Sequence, residues 1–176
     1  MPHNELDSFI TTWEIESQNT LRLLRALPHD QYDFRPDAGG RSLGELAWHL
    51  AEGDAYMTFG IENGKFGMDS KPPHMERPRT VEGLAPGFEQ IHQDALPRIK
   101  KLTAADLDRK LPFFGSELAI RNILWTMVIV HGAHHRGQLS LMCRLAGGAA
   151  PGLYGPNREE MAAMRAEASK ISAARQ

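Results

Sequence analysis

Three histidines are spaced so that their rings could share one ligand. His131 and His135 are four residues apart in a predicted helix, so their rings project from one face at neighbouring heights. His49 lies on the apolar face of an earlier predicted helix. A neutral imidazole among apolar side chains needs a hydrogen-bond partner or a metal ion. We therefore predict a metal centre formed by His49, His131 and His135.

The residue types also indicate which chemistry such a centre would support. Three neutral nitrogen ligands suit zinc, nickel, copper or iron better than calcium or magnesium. They leave a coordination position for water or substrate, as in catalytic rather than structural sites. A bound cation lowers the pKa of water and deprotonates a coordinated thiol. Gly132 stands where the H-E-x-x-H motif requires glutamate, which excludes that peptidase motif. Histidines that are only hydrogen-bonded in the core are the alternative.

Several side chains near the histidines are candidates for supporting roles. Gln138 is expected on the inner face, where it could orient a ligand ring or a substrate. Tyr56 could supply a proton, although a core tyrosine is the commoner case. His134 lies at the margin of the apolar stripe, which favours a surface position. Arg136 is expected to face away from the core, and Cys143 is expected to be an inert core thiol.

The elements that must position these residues are predicted to be helices. Apolar side chains recur at helical spacing over residues 4–27, 42–61, 80–102, 118–145 and 157–174. Ser42 and Glu45 form a capping-box pattern at the start of the second predicted helix. Gly53, one turn beyond His49, leaves room for a ligand. Thr80 is the expected cap of the third helix, whose internal prolines predict a kink or a late start.

The predicted connections differ in length and character. Residues 29–41 and 149–156 are rich in turn formers, and 63–79 reads as a long loop that is either functional or mobile. Residues 103–106 predict one short capped turn, and 110–117 fit either an extended loop or a short strand. Asn157 and Glu160 are expected to cap the last helix. The simplest architecture is an all-α, up-down four-helix bundle with an extra C-terminal helix, forming a single domain over residues 1–176.

Composition narrows the class of protein. The 176 residues are 41% hydrophobic with a formal net charge of −2 and no long basic run, which argues against nucleic-acid binding. A single cysteine cannot form an intrachain disulfide and fits a reducing compartment. Residues 1–10 lack signal-peptide features, and no membrane association is expected. A cytoplasmic location is therefore predicted. Apolar Trp125, Ile129 and Val130 point away from the histidines and suggest a homodimer contact.

Three segments resemble the DinB/YfiT-like superfamily: GGRSLGELAWHL at 39–50, HGAHHRGQL at 131–139 and PGLYGP at 151–156. The resemblance extends over about residues 5–160, and its most specific part is the spaced H-x-x-x-H-R-G-Q with an upstream histidine. It implies a four-helix bundle with a long crossover, usually dimeric. It also implies a divalent metal, zinc or nickel most often and iron as a further option, on His49, His131 and His135.

The resemblance also implies a range of activities. Characterised members of the superfamily include S-transferases that use bacillithiol or mycothiol and a mycothiol-dependent maleylpyruvate isomerase, while others are described only as metal-dependent hydrolases. A metal-dependent transferase or hydrolase that activates a thiol or water toward a small electrophile is thus expected, with a small-molecule substrate. The superfamily name refers to induction by DNA damage and does not imply DNA binding. The alternatives are a non-catalytic, dimeric stress-response module with a metal clip and, more weakly, ligand binding in the bundle core.

Overall fold

Helices make up nearly all the regular structure of the computed structural model, which describes residues 4–67 and 72–173. The helices are α1 (Glu5–Arg25), α2 (Leu43–Asn63), α3 (Leu84–Lys100), α4 (Ile120–Asn122), α5 (His131–Leu145) and α6 (Arg158–Ala173). A π-helical segment, Ile123–Val130, joins α4 to α5 in one continuous rod, and a 3-10 helix covers Ala104–Asp108. Strands β1 (Lys110–Phe113) and β2 (Ser116–Ala119) form an antiparallel hairpin.

The four long helical segments pack as a bundle with crossing connections. The principal neighbours of α1 are α3 and the rod that ends in α5, and α2 has the same two neighbours. Consecutive α1 and α2 therefore lie diagonally across the bundle, and residues 26–42 cross it. The predicted helical bundle with a crossover and an extra C-terminal helix is confirmed. Within the described ranges, no helix has the length and apolar content needed to cross a bilayer.

The start of α2, the helix that carries His49, is fixed by its predicted capping box. Ser42 Oγ accepts from the Glu45 backbone N–H at 3.2 Å, and the Ser42 N–H donates to Glu45 Oε2 at 2.8 Å. Arg35 Nη1 lies 2.8 Å from the same carboxylate. Gly64, at φ +68°, ends the helix in the left-handed region, where glycine is favoured. Both ends of α2 are thus set by local chemistry.

The core consists of two apolar clusters with a polar layer between them. Along α1, Leu6, Phe9 and Trp13 belong to one cluster, and Leu21 and Leu24 belong to the other. The layer between them holds polar side chains from all four long segments that are buried or, for Glu16, largely buried; they include Glu16, Ser17, Thr20, Asp54, His92, His135 and Arg136. This layer accounts for the polar residues Glu16, Ser17 and Thr20 within α1, and it contains the residues that could do chemistry.

The π-helical segment changes which side chains of the rod face the core. Its i→i+5 hydrogen bonds put more residues into each turn than an α-helix has, so a helical wheel drawn at the α-helical angle loses phase across it. The prediction that Arg136 faces outward was wrong, because Arg136 is 3% exposed. Gln138, expected on the inner face, is exposed. Leu139 takes the inward position instead, with 0% exposure.

The expected apolar flank of the rod is also corrected. Trp125 packs edge-on against Phe9 at 5.6 Å and donates through Nε1 to Glu5 Oε1 at 3.2 Å. Ile129 is partly buried against the same cluster, so Val130, at 61% exposure, is the solvent-facing member of the predicted trio. Trp125 and Ile129 therefore contribute to the fold of this chain.

Several element boundaries differ from the predicted ones. The residues at 110–117 belong to the β-hairpin, whose second strand runs to Ala119, so the rod begins at Ile120 and not at 118. The third helix has the late start, at Leu84, and Thr80 is not its cap because Gly83 occupies that position. Of the predicted loop 63–79, residues 65–67 and 72–79 contain no helix or strand, and residues 68–71 lie outside the described part.

Two further predicted caps are confirmed, one at the 3-10 helix and one at the start of α6. Thr103 and Asp106 form a reciprocal capping box at the 3-10 helix. Asn157 Oδ1 accepts from the Glu160 backbone N–H at 2.8 Å, and the Asn157 N–H donates to Glu160 Oε2 at 3.0 Å. The α6 helix that follows has no buried residue, so it lies on the outside of the described bundle.

Candidate metal centre

His49, His131 and His135 meet where α2 packs against α5. Each offers one ring nitrogen, and these three atoms all lie within 4.8 Å of one another. The Nε2 atoms of His131 and His135 are 3.0 Å apart. The ring centroid of His49 lies 5.6 Å from that of His131 and 4.8 Å from that of His135. The structure therefore brings together all three residues predicted from the sequence.

Polar side chains on the same helices hold the second ring nitrogens of two of these histidines. Glu52 Oε2 lies 3.0 Å from Nδ1 of His49, and Gln138 Oε1 lies 2.7 Å from Nδ1 of His135. Because both partner atoms are acceptors, each neutral ring carries its proton on Nδ1 and keeps a lone pair on Nε2. Contacts of this kind set the tautomer and orientation of metal-binding histidines.

Burial keeps the imidazole rings of His131 and His135 neutral. His135 is 9% exposed, and burial is the main cause that lowers its pKa to about 4. The hydrogen bond that its Nδ1–H donates to Gln138 raises the pKa, and the His131 and His49 rings lower it further. The pKa of His131 is also lowered, first by burial and then by the neighbouring His49. At neutral pH both rings are therefore in the neutral form, which has one nitrogen lone pair free to bind a metal.

A small cavity opens beside the three rings. Its walls include Gly53, Asp54, Val128 and Gly132. A Cβ atom on Gly53 would meet no atom within 4 Å, so this glycine leaves the space beside His49 that the sequence predicted. The cavity contains about 190 Å³ between protein atoms, part of it open to solvent, with room for about one water-sized molecule. A larger substrate would have to approach from outside.

The other candidate side chains lie at different distances from the cavity. His134 is exposed, and its ring centroid is 5.0 Å from that of His135. Tyr56 is half-buried on α2 but is not among the residues that line the cavity. Cys143 is buried, its thiol lies 3.5 Å from the Ala26 carbonyl oxygen, and burial raises its pKa. A protonated, buried thiol agrees with the expected inert role.

Arg136 makes a dense set of contacts one residue after the last histidine. Its side chain is 4% exposed and forms an ion pair with Glu16 of α1. Its Nη1 donates to Thr20 Oγ1 at 3.1 Å, and its Nε and Nη2 donate to Tyr154 Oη at 2.9 and 2.7 Å. The Tyr154 hydroxyl donates in turn to Glu16 at 2.6 Å. One guanidinium group thus ties α5 to α1 and to the segment before α6.

Two acidic residues at the site were missed by sequence reasoning. Glu52 follows His49 by three residues, as Gln138 follows the last of the histidines, so this repeated spacing was a usable signal. Asp54 is 8% exposed, lines the cavity and accepts the Trp13 Nε1–H at 3.0 Å. That contact joins α1 to α2 through two residues that are 41 positions apart in the sequence, and no local pattern indicates it.

The donor set fits a divalent transition metal. Three neutral imidazoles form the group, which contains no carboxylate or thiolate, and this set favours zinc, nickel, copper or iron over calcium or magnesium. Three protein ligands leave at least one coordination position for a small molecule. The group could therefore hold a metal ion and one exchangeable ligand.

Comparisons with known proteins identify the family and the fold. The model of the DinB family matches residues 1–170. The uncharacterized protein YrdA of Bacillus subtilis (strain 168) is 28% identical over 167 residues, which is 94% of this chain and 98% of that protein. A DinB-like protein of Bacillus cereus ATCC 10987 has a solved structure with a TM-score of 0.70 and 26% identity, covering 84% of this chain and 97% of that one.

A second solved structure, of the DinB-like protein YjoA from Bacillus subtilis, shares the fold. Its TM-score is 0.68 at 21% identity, and the match covers 86% of this chain and 99% of that one. The family match extends over nearly the whole sequence, including all three histidines and both helices that carry them. The chain belongs to the DinB family.

Proposed function

We propose that this protein is a divalent-metal-dependent enzyme that activates a thiol or a water molecule for attack on a small electrophile. The observation that supports the proposal is the convergence of three imidazoles beside a cavity, two of them with their outer nitrogens bound by Glu52 and Gln138. His49, His131 and His135 would hold the ion, with zinc or nickel proposed first and iron as a further option. When bound, the ion would lower the pKa of a coordinated thiol or water.

The residues of the chain itself would orient the ligands and leave room for the nucleophile. Glu52 and Gln138 fix the rings of His49 and His135 so that their Nε2 lone pairs stay available. Gly53 keeps the adjoining wall free of side-chain bulk. The small cavity accepts the attacking atom, while the remainder of a thiol or substrate would lie outside it.

The experiment uses protein purified without a histidine tag, stripped with a chelator and reloaded with zinc, nickel or ferrous iron. Conjugation of monochlorobimane to low-molecular-weight thiols, including bacillithiol and mycothiol, tests transfer, and hydrolysis of 4-nitrophenyl acetate tests water activation. We expect a rate that depends on added metal and is lost in His131→Ala and His135→Ala. The exposed His134→Ala is the matched control and should keep the rate. A reloaded protein no faster than the stripped protein in both assays would contradict the proposal.

A second candidate function is a non-catalytic metal clip between α2 and α5. The small volume of the cavity favours it, because the space beside the rings is limited to about one water-sized molecule. In that case chelation would strongly lower the melting temperature, and no metal-dependent rate would appear with any thiol or ester. The melting curve and the two rate assays together separate the candidates.

A separate proposal concerns the assembly of the protein. We propose a homodimer, supported by large apolar side chains exposed on the helical rod, namely Val130, Leu141 and Leu145 at 58–61% exposure. Sedimentation at several concentrations would test it. A small-molecule substrate, a cytoplasmic location and the absence of nucleic-acid or membrane partners stay predictions from the sequence.

A further inference from the structure

A buried carboxylate lies in the wall of the cavity outside the group of three histidines. This cavity adjoins a second one in the polar layer, which contains about 250 Å³ between protein atoms, part of it open to solvent. The two share four wall residues: Leu50, Asp54, Val128 and Gly132. Asp54 is the one of these with an ionisable side chain, and it is 8% exposed. An acidic group therefore stands between the histidines and the interior of the bundle.

Two helices other than α5 hold this carboxylate in place. Trp13 of α1 donates its Nε1–H to Asp54 Oδ2 at 3.0 Å. His92 of α3 places its Nδ1 3.4 Å from the same oxygen. Neither contact uses Oδ1. Since an indole nitrogen is only a donor, the Trp13 bond fixes the carboxylate without moving a proton, while the His92 contact can pass one.

His92 connects Asp54 to the outside of the molecule. Its side chain is 11% exposed, and its ring lies edge-on to Trp13 with centroids 4.5 Å apart. It also lines a solvent-open groove between α1 and α3 whose walls include Glu14 and Glu89. The charged groups that face His92 are therefore Asp54 from α2, Glu14 from α1 and Glu89 from its own helix. The imidazole of His92 therefore lies between Asp54 and the solvent-open groove.

We propose that Asp54 and His92 form a proton-transfer pair that serves a nucleophile in the cavity at the three histidines. This inference rests on the proposed function. Asp54 accepts the proton of a thiol or water, whose oxygen or sulfur keeps the bonding electron pair. The resulting carboxylic acid passes this proton to His92 Nδ1, which accepts it in the tautomer that carries the ring proton on Nε2. The imidazolium then releases the Nε2 proton to water in the groove, and exchange of the ring proton with solvent restores the starting tautomer. The pair ends as a carboxylate and a neutral imidazole, with one proton delivered to solvent.

The first test measures the pair without using activity. The ring nitrogens of His92 are followed by NMR of histidine-labelled, zinc-loaded protein at neutral pH. Replacement of the carboxylate in the isosteric Asp54→Asn should shift the His92 Nδ1 resonance, because the contact of this nitrogen with a charged oxygen is lost. Glu89→Gln, which removes an acid from the groove but not from the cavity wall, should have a smaller effect. An unchanged His92 Nδ1 resonance in Asp54→Asn would show that the two groups are not coupled.

The second test measures proton transfer through chemical rescue. Asp54→Asn should reduce the metal-dependent rate by about 100-fold at unchanged zinc occupancy. His92→Ala opens a ring-sized space that is continuous with the groove, so added imidazole should restore part of its lost rate. The same imidazole should not accelerate the wild type or Glu89→Gln. If His92→Ala does not fold, as judged by its melting curve, His92→Gln must show the loss of rate.

The outcomes separate this inference from the function on which it rests. No metal-dependent rate in the wild type would remove both proposals. A normal wild-type rate that Asp54→Asn retains, or a His92→Ala rate that imidazole leaves unchanged, would remove the proton-transfer pair alone. Loss of rate with loss of zinc in Asp54→Asn would also count against it, because the carboxylate would then support the metal instead of the proton.

Discussion

Glu52 and Gln138 determine how well the three histidines can hold an ion. Each accepts a hydrogen bond from the Nδ1 of one ring, at 3.0 Å for His49 and 2.7 Å for His135. Without these acceptors the rings could rotate or carry the proton on Nε2, the nitrogen that faces the other histidines. The strength of metal binding at the proposed site should therefore depend on residues that would not touch the metal.

Leucine substitutions test this dependence. Glu52→Leu and Gln138→Leu should each weaken zinc binding by about 10- to 100-fold, because the orientation and tautomer of one ring are no longer fixed. Affinity is measured by competition with a coloured chelator. Gln93→Leu, an exposed position on α3, serves as the control and should bind zinc like the wild type. Equal affinities in all three variants would contradict the assigned contacts.

At the scale of single residues, the sequence predicts the three histidines better than the side chains that surround them. His131 and His135 were found because helical spacing alone puts them on one face, and the apolar stripe around His49 indicated the third ring. Asp54 could not be found in the same way, since its partners Trp13 and His92 come from other helices. Pairing across a bundle depends on tertiary packing, which short-range spacing does not encode.

Helix α2 carries both the first histidine and the glycine that opens the cavity. Gly53→Ala should raise the free energy of unfolding by up to about 1 kcal/mol through helix propensity, because its Cβ meets no atom within 4 Å. Gly53→Leu should fill the cavity, so that zinc stays bound while the metal-dependent rate falls. Gly137→Leu, at an exposed position of α5, is the control for added bulk. A normal rate in Gly53→Leu would place the reaction elsewhere.

The capping box of α2 makes a further prediction about acid stability. The Arg35 guanidinium, followed by the Ser42 N–H, holds the pKa of Glu45 at about 2, below its ordinary value of 4.5. Stability from this carboxylate is present above about pH 4.5 and is lost as the pH falls toward 2. Glu45→Gln should therefore be less stable than the wild type at neutral pH, with a difference that shrinks in acid. Urea melts at several pH values measure it, and a difference independent of pH would contradict this account.

The largest error in the predicted elements has one physical source. A π-helical segment precedes the histidine pair, and its wider turns shift the face that each later residue presents. The prediction of the helix itself survived this shift, while the inward and outward assignments of Arg136 and Gln138 did not. The run Ile123–Val130 is apolar on all sides, so it has no polar face from which a change of phase could be read.

The contacts of Arg136 with Glu16, Thr20 and Tyr154 join the helices at the middle of the bundle. Arg136→Met leaves Glu16, whose side chain is 14% exposed, without its cation, and should cost about 3–5 kcal/mol of stability. The double variant with Glu16→Leu should recover much of this loss, because no buried charge is left unpaired. Arg144→Met breaks a more exposed ion pair with Glu159 and should cost much less stability, because solvent screens both charges. Chemical denaturation that gives equal losses for Arg136→Met and Arg144→Met would refute this role.

At the scale of the molecule, the number and type of helices followed from periodicity and caps. The packing order did not, because the diagonal placement of α1 and α2 depends on which apolar faces meet. The only trace in the sequence of the division of the core into two clusters is a polar stretch in the first helix, with Glu14, Glu16, Gln18 and Asn19. Its meaning, a polar layer shared by four helical segments, requires the assembled bundle.

The most direct test of the central claim is the zinc content of tag-free protein and of single histidine variants. The wild type should bind about one zinc per chain, as expected for one three-histidine group. His49→Ala, His131→Ala and His135→Ala should each lose the ion under the same dialysis, while His134→Ala should keep it. A wild type that binds no metal, or three variants that all retain it, would contradict the claim that these three imidazoles form a metal site.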